Sequence, residues 1–370
     1  MGNTKRVLLL TNIYNGETHF RTEIVDALLQ EGYDVTYAAP TKGLKQEREE
    51  AGYHLVDIPF DRRSLNPLKD VRLLWQYVKL LRRTAPQVVL SFTIKPNLYG
   101  GMACRICKVP QIANVTGLGS AFEDEGWLHR LAIMLYRIGL RKTHMVFFQN
   151  TANMQYCEDH LMVRGQRKLL PGSGVNLIRF AYEEYPKEQP LRFLFLGRLI
   201  KQKGIDEYLE VARLVRKLHP EVEFHILGTC DEGYHDVLVN QPHEGIFYHG
   251  RQPDVRPFIC QCHCLIHPSY YPEGMSNVLL ESCATGRPII TTDRPGCKEV
   301  IEDGKNGFVV RPQDVDDLKE KVLKFISLPH EAKRQMGLAA RQKVEREFDR
   351  QVVVKAYLDA IEEVEVRNER

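Results

Sequence analysis

Long hydrophobic runs are what this chain most lacks. No segment of its 370 residues approaches the roughly 18 consecutive apolar side chains of a membrane-crossing helix. The opening apolar run, Val7 to Leu10, is short and leads into a polar loop, unlike a secretory signal. Gly2 opens no myristoylation pattern, because Arg6 stands where Ser or Thr is wanted. The cysteines number nine, an odd count scattered along the chain, which fits a reducing cytoplasm better than a disulfide framework. The CxxC of Cys104 and Cys107 falls in a helical pattern and reads as structural. Cys260, Cys262 and Cys264, with His263 and His267, read as a buried strand rather than a zinc site, for no second ligand pair lies nearby. A GxGxxG fingerprint is missing too. The first strand–helix turn, "TNIYNGETHF", holds the single glycine Gly16, and a later one reads "GRLIKQKG", so a dinucleotide cofactor is disfavoured. Neither low-complexity sequence nor a short repeat is visible.

What is present is an ordinary globular composition, 43% hydrophobic and 27% charged, with a net charge of +3. The charge is unevenly spread. Residues 1–170 carry a net +7, residues 61–142 alone +9, and the remainder −4. Such a concentration predicts a first half that faces something anionic. Short apolar strands alternate with helical patterns from "RVLLLTN" to "KLLPGSG", and the rhythm restarts at "LRFLFLGR". This predicts an α/β protein of two doubly wound Rossmann-like parallel-sheet domains facing across a cleft. The expected boundaries are 1–173 and 191–350, with the polar, proline-bearing residues 174–190 as a linker. An amphipathic tail, 351–370, can pack back on the first domain.

Two stretches carry the chemistry. In "FLGRLIKQKGIDEYLEVA" a strand ends at Gly197 and a helix begins near Gly204, with Arg198 and Lys203 flanking the turn. Two cations beside a helix N-terminus suit a diphosphate; two solvated loop charges are the alternative. In "SYYPEGMSNVLLESCATGRPII", Pro272 and Gly274 predict a helix starting near Met275 to Asn277. Glu273 then lies just outside its N-terminus and Glu281 inside, ~9–12 Å further along at 1.5 Å per residue. A nucleoside diphosphate sugar fits that span. Its phosphates would meet the amides of Gly274, Met275, Ser276 and Asn277. Glu281 would accept from the ribose hydroxyls, and Glu273 from the sugar. Burying Glu281 without such a partner would be costly; an exposed Glu281 on the polar edge is the alternative.

These residues resemble the family-4 retaining glycosyltransferases of the GT-B fold. "EGMSNVLLE" is similar to their E-x7-E element, "GRLIKQKG" to their phosphate motif, and "GSGVNLIRF" to their interdomain segment. "GRQPDV", with Arg251, is similar to the loop that reads the base. The resemblance spans nearly the whole chain. It implies a UDP-sugar donor, no metal and no cofactor, with Arg198 and Lys203 neutralising the leaving diphosphate. It further implies that Glu273 holds the donor sugar and that Gly16 lets the first loop approach the phosphates. Where many members carry a histidine against the donor sugar, "ANVTGLGSAF" has Thr116. His19 is an alternative near the acceptor.

The stretches "FDRRSLNPLKD", "FTIKPNLYGGMA" and "VTGLGSAF" resemble a narrower group, bacterial transferases that extend sugars on undecaprenyl diphosphate. The implied acceptor is a polyprenyl-diphosphate-linked saccharide, with Arg62, Arg63 and Lys95 as candidates for its diphosphate. Lys69, Arg72, Gln76, Lys79 and Arg83 share one helical face beside Trp75, and Arg130, Arg137 and Arg141 follow Trp127. Basic helices with tryptophan fit an anionic membrane surface and peripheral attachment to the inner face of the plasma membrane; solvated faces of core helices are the alternative. No nucleic-acid partner is expected. Competing readings are a GT-B nucleotide-sugar epimerase, a glycosidase using both glutamates, and a non-catalytic membrane-binding protein.

Overall fold

A computed structural model describes residues 5–14, 21–41, 52–61, 66–119, 122, 126–187, 189–230, 233–234, 238 and 244–369. Gly16, His19, Arg62 and Arg63 lie outside them. The chain divides into two compact units, residues 1–173 with 351–370, and residues 174–350.

The first unit is built on seven parallel strands. These are β1 (Arg6–Leu10), β2 (Asp34–Ala39), β3 (His54–Asp57), β4 (Val88–Phe92), β5 (Gln111–Val115), β6 (Met145–Phe148) and β7 (Gln166–Leu169), in the order β3-β2-β1-β4-β5-β6-β7. The central strands are unbroken runs such as "VLLL" and "MVFF", buried on both faces as helix-covered parallel strands must be. Helices α1 (Thr22–Gln30), α2 (Pro67–Thr84), α3 (Gly101–Cys107), α4 (Trp127–Gly139) and α5 (Thr151–Asp159) make the connections. Asn66 starts α2, its side chain accepting from the Leu68 amide at 3.0 Å, with Pro67 at the first turn. Residues Pro96–Gly100 form a π-helical turn leading into α3. Just before it, Thr93 holds a φ of +73°, an outlier for a β-branched residue.

The second unit carries six parallel strands: β8 (Arg192–Leu196), β9 (Glu223–Leu227), β10 (Ile246–Tyr248), β11 (Cys264–His267), β12 (Ile289–Thr292) and β13 (Gly307–Val310). Their order is β10-β9-β8-β11-β12-β13. Its helices are α6 (Ile205–Arg216), α7 (Arg256–Gln261), α8 (Asn277–Ala284), α9 (Val315–Ser327) and α10 (His330–Glu347). Helix α11 (Arg350–Glu369) returns to the first unit, where Val353, Tyr357, Ala360 and Ile361 join the core under the sheet. The amide of Asn114 donates to the Tyr357 hydroxyl at 2.6 Å.

Two sequence expectations need correction. The cysteine-rich stretch is not one strand. Cys260 ends up in α7 and Cys262 at its C-cap, while β11 begins only at Cys264. His263 is tied to backbone on both sides: its Nδ1 accepts from the Arg192 amide at 3.0 Å, and its Nε2 lies 2.6 Å from the Lys187 carbonyl. Residues 174–190, read as a linker, are fastened to the second unit. The buried Arg287 guanidinium donates to the carbonyls of Glu183 and Glu184, each at 3.0 Å, and the Tyr185 hydroxyl to that of His263 at 2.8 Å.

Candidate active site

Three segments at the carboxyl ends of β8, β9 and β11 meet in the second unit, the edge where open parallel sheets bind ligands. The first runs from Gly197 through a 3-10 turn, Lys201–Lys203, to α6. Gly228, at the end of β9, presses so close that a Cβ there would sit 1.6 Å from the Gly197 carbonyl oxygen. Gly204 has a φ of +78°, and its Cβ would lie 2.3 Å from the Pro268 carbonyl oxygen. Only glycine allows these turns to nest.

The third segment, Pro268 to Ser276, follows β11 and leads into α8. It gathers the predicted residues. The Lys203 ammonium pairs with the Glu273 carboxylate, and both side chains are largely buried. Ser269 Oγ donates to Glu273 Oε1 at 3.2 Å, and His267 Nε2 lies 3.6 Å from the same oxygen. Burial alone would raise the Glu273 carboxyl, but Lys203 and His267 outweigh it and hold it well below the usual carboxylate range. His267 is fully buried, which pushes its own pKa down. Arg198 and Lys203 both stand over the Tyr271 ring, at 5.5 and 5.4 Å from its centroid.

Ser276 precedes α8 but does not cap it with its side chain; its Oγ lies 3.0 Å from His267 Nε2 instead. The leading amides of α8 therefore lack a side-chain acceptor from their N-cap. The Asn277 Oδ1 is buried without a hydrogen-bond partner among the described residues, and Met275, two residues earlier, is buried as well. A negative group placed there would gain from the amides and the helix dipole.

Glu281 lies in α8, two turns beyond Glu273 in sequence. Its carboxylate accepts no hydrogen bond from the described residues. Burial raises its pKa to about 7, against the opposing pull of Arg350 and Arg179. Its oxygens can accept from hydroxyl donors, and such bonds would favour the ionised form. Arg251 is exposed on the loop after β10. Thr116, half-buried after β5, belongs to the first unit. So does Lys95, whose ammonium is bound to Asp70 Oδ1 at 2.6 Å, while the Tyr99 hydroxyl holds the other oxygen at 2.8 Å. Lys95 is therefore already neutralised by its neighbour. Sequence reasoning missed Tyr271 and read His267 only as part of a buried strand, not as a neighbour of Glu273. Tyr271 stood inside the quoted glutamate stretch, and an aromatic beside Pro and Gly was the available signal. The same reasoning overlooked Arg179 and Arg350, whose charges oppose the upward shift of Glu281 from distant sequence positions.

The class defined by this fold is GT-B. The chain superposes on sucrose-phosphate synthase from Thermosynechococcus elongatus with a TM-score of 0.80 at 16% identity, over 98% of this chain and 100% of that one. HepE from Anabaena, in complex with UDP, gives 0.77 at 16% identity over 97% and 100%. At such identities the likeness is one of fold. The chain belongs to the family-4-type glycosyltransferases: residues 179–343 match the family described as Glycosyl transferases group 1, and residues 6–150 match Glycosyl transferase 4-like. It is 25% identical over 366 residues to the N,N'-diacetylbacillosaminyl-diphospho-undecaprenol alpha-1,3-N-acetylgalactosaminyltransferase of Campylobacter jejuni, covering 94% of this chain and 95% of that protein. The capsular polysaccharide biosynthesis glycosyltransferase CapM of Staphylococcus aureus is 24% identical over 331 residues, 84% and 85% of the two chains.

Proposed function

We propose that this glycosyltransferase moves a hexose or N-acetylhexosamine from a UDP-sugar to a saccharide carried on a membrane polyprenyl diphosphate, with retention at the anomeric carbon and without metal. The observation that carries this reading is the cluster of Arg198, Lys203, Tyr271 and Glu273 beside the uncapped start of α8. The full-length likeness to a transferase named for a diphospho-undecaprenol acceptor supports the acceptor class.

In this mechanism the diphosphate sits against the first amides of α8. Arg198 and Lys203 take the negative charge that develops as the bond from C1 to the phosphate oxygen breaks. Lys203 thereby shifts part of its pairing from Glu273 to the ligand. Glu273, kept ionised by its neighbours, accepts from hydroxyls of the sugar. The acceptor hydroxyl oxygen bonds to C1 on the face the diphosphate leaves, and its proton passes to the departing phosphate oxygen. No enzymic nucleophile is needed. Glu281 holds the ribose hydroxyls, and Arg251 lies on the loop assigned to the base.

The acceptor side of the proposal rests on the first unit. On α2, Leu68, Val71 and Trp75 are 81%, 53% and 52% exposed at helical spacing, among the exposed cations Lys69, Arg72, Lys79 and Arg83. Trp127 opens α4 at 74% exposure. Apolar side chains interleaved with cations that have no carboxylate partner among the described residues fit peripheral binding to an anionic bilayer. Among the described residues, no helix is long and apolar enough to cross a membrane.

Incubation with a panel of UDP-hexoses and UDP-N-acetylhexosamines, a short-chain polyprenyl-diphosphate saccharide and a chelator tests the proposal. The expected result is acceptor-dependent UDP release with one donor and a product of unchanged anomeric configuration by NMR. Sugar conversion without acceptor, or inversion, would contradict it.

A further inference from the structure

The geometry points to a second anion-binding site, at the edge of the first unit's sheet opposite to that used for substrates, taking a multiply charged phosphate group. A cavity of about 870 Å³ opens there. It is lined where Val109 and Pro110 lead into β5, Thr143 and His144 into β6, and Arg164 and Gly165 into β7. These are the amino ends of three adjacent parallel strands. The ligand edge of such a sheet is the carboxyl one, so this cavity is no part of the site described above.

Six cations surround it: Arg105, Lys108, Arg141, Lys142, Arg164 and Arg367. Among the described residues no aspartate or glutamate lines it, and none of the six forms an ion pair with a described residue. Arg105 alone has a recorded bond, donating to the Ile138 carbonyl oxygen at 3.3 Å. Glu363 Oε2 lies 3.8 Å from His144 Nε2. That nitrogen is buried with no hydrogen-bond partner among the described residues, and the His144 side chain is only 9% exposed. The floor is fixed. Gln111 Oε1 accepts from the Thr143 hydroxyl at 2.9 Å, and its amide donates to Ser91 Oγ at 2.8 Å. Gly165 lets the β7 entry close against the Thr143 carbonyl, 2.3 Å from where a Cβ would stand.

Six like charges around a built basin repel one another, so the isolated chain is under electrostatic strain there. A polyanion relieves it. Arginine forks match phosphate oxygens in pairs, which favours phosphate over a simple halide. The volume fits a tripolyphosphate chain or a phospholipid headgroup. The two share the same chemistry.

Calorimetric titration of the full chain with inorganic tripolyphosphate tests the site. Arg141→Ser/Arg164→Ser is expected to weaken binding about ten-fold or more. Arg141→Lys/Arg164→Lys keeps the charge and the fold but loses the fork, and an intermediate loss is expected. Arg198→Ser, in the candidate donor site, should leave the cavity's share of binding intact, so failure there and failure of the proposed function are separable. Lys79→Ser/Arg83→Ser removes equal charge from α2 as a control. Phosphatidylglycerol vesicles, against phosphatidylcholine, identify the source. If the cavity takes a lipid headgroup, its variant loses vesicle binding beyond the control pair and tripolyphosphate competes. If it takes a free phosphate compound, vesicle binding falls no more than in the control. Equal weakening of tripolyphosphate binding by cavity and control pairs, or no weakening by the cavity pair, overturns the proposal.

Discussion

The two units hold their cations in opposite ways. In the second unit many pair with a carboxylate of the same unit: Arg192 with Glu223, Lys203 with Glu273, Arg256 with Asp254, Arg341 with Glu345, Lys343 with Glu347. In the first unit, Arg72, Lys79, Arg83, Arg105, Arg141 and Arg164 have no recorded carboxylate partner among the described residues. The surplus visible in the sequence, +7 against −4 by halves, is thus also a difference in arrangement. Paired charges around a nested glycine turn make a preorganised site for one small ligand. Unpaired charges spread over helix faces and one basin suit large anionic partners from outside.

The largest expected effect is at Lys203. Replacing it with alanine strands a buried carboxylate at Glu273, so turnover should fall 100-fold or more, on the order of an oxyanion-site loss. Stability should drop by roughly 3 kcal/mol. Adding Glu273→Gln should return most of that stability and none of the activity, as denaturation curves and single-turnover assays would read. If the double variant stays as unstable as the single one, the pairing is not what holds the turn.

Next come the two glutamates. Glu281→Ala should weaken UDP about ten-fold, by the loss of two hydroxyl hydrogen bonds of about 0.5–1.5 kcal/mol each. Glu273→Ala should harm turnover more than affinity for free UDP. The reverse pattern in calorimetry and kinetics would exchange their roles.

The pH dependence of stability distinguishes them as well. The folded Glu281 carboxyl is raised to about 7, so between its ordinary value and 7 the folded chain binds more protons than the unfolded one. Its contribution is present at low pH and is lost as pH climbs toward 7, by up to roughly 3 kcal/mol. Glu281→Gln should flatten that fall. Glu273 has the opposite sign: its contribution is present above the ordinary carboxylate range and is lost as acid protonates it. Chemical denaturation at a series of pH values reads both.

The smallest effect belongs to the first unit. Arg72→Glu or Lys79→Glu should each weaken attachment to phosphatidylglycerol vesicles by about 1 kcal/mol per charge removed, and raised salt should erase the difference. Sedimentation with vesicles at two salt concentrations is the check. A salt-independent loss would mean that these helices bind through apolar contact alone.

Much of this was legible in the sequence. Alternating strand and helix patterns are local, so the two-sheet fold and the placement of Glu273 before α8 and Glu281 within it followed from periodicity and the breakers Pro272 and Gly274. Pairings across long sequence separations were not legible. Nothing local says that Lys203 meets Glu273, or that Asp70 neutralises Lys95 from the first turn of α2. The "CQCHCLIHPS" stretch misled because a short apolar run fits either a strand or a helix end. Pro257 in the first turn favours the latter. Residues 174–190 looked like a linker by composition, yet their backbone carbonyls serve the buried Arg287.

The most direct test of the central claim, that the second unit is a UDP-sugar site, is a thermal-shift panel with UDP, GDP, ADP, CMP and NAD in the presence of a chelator. A ligand selective for the folded chain at 100 times its Kd adds about 2.7 kcal/mol. The account predicts a clear rise with UDP, cut to about half in the Glu281→Ala variant at matched concentration, since a ten-fold weaker ligand then adds about 1.4 kcal/mol. A folded sample that responds to none of the five, or to NAD alone, would contradict it.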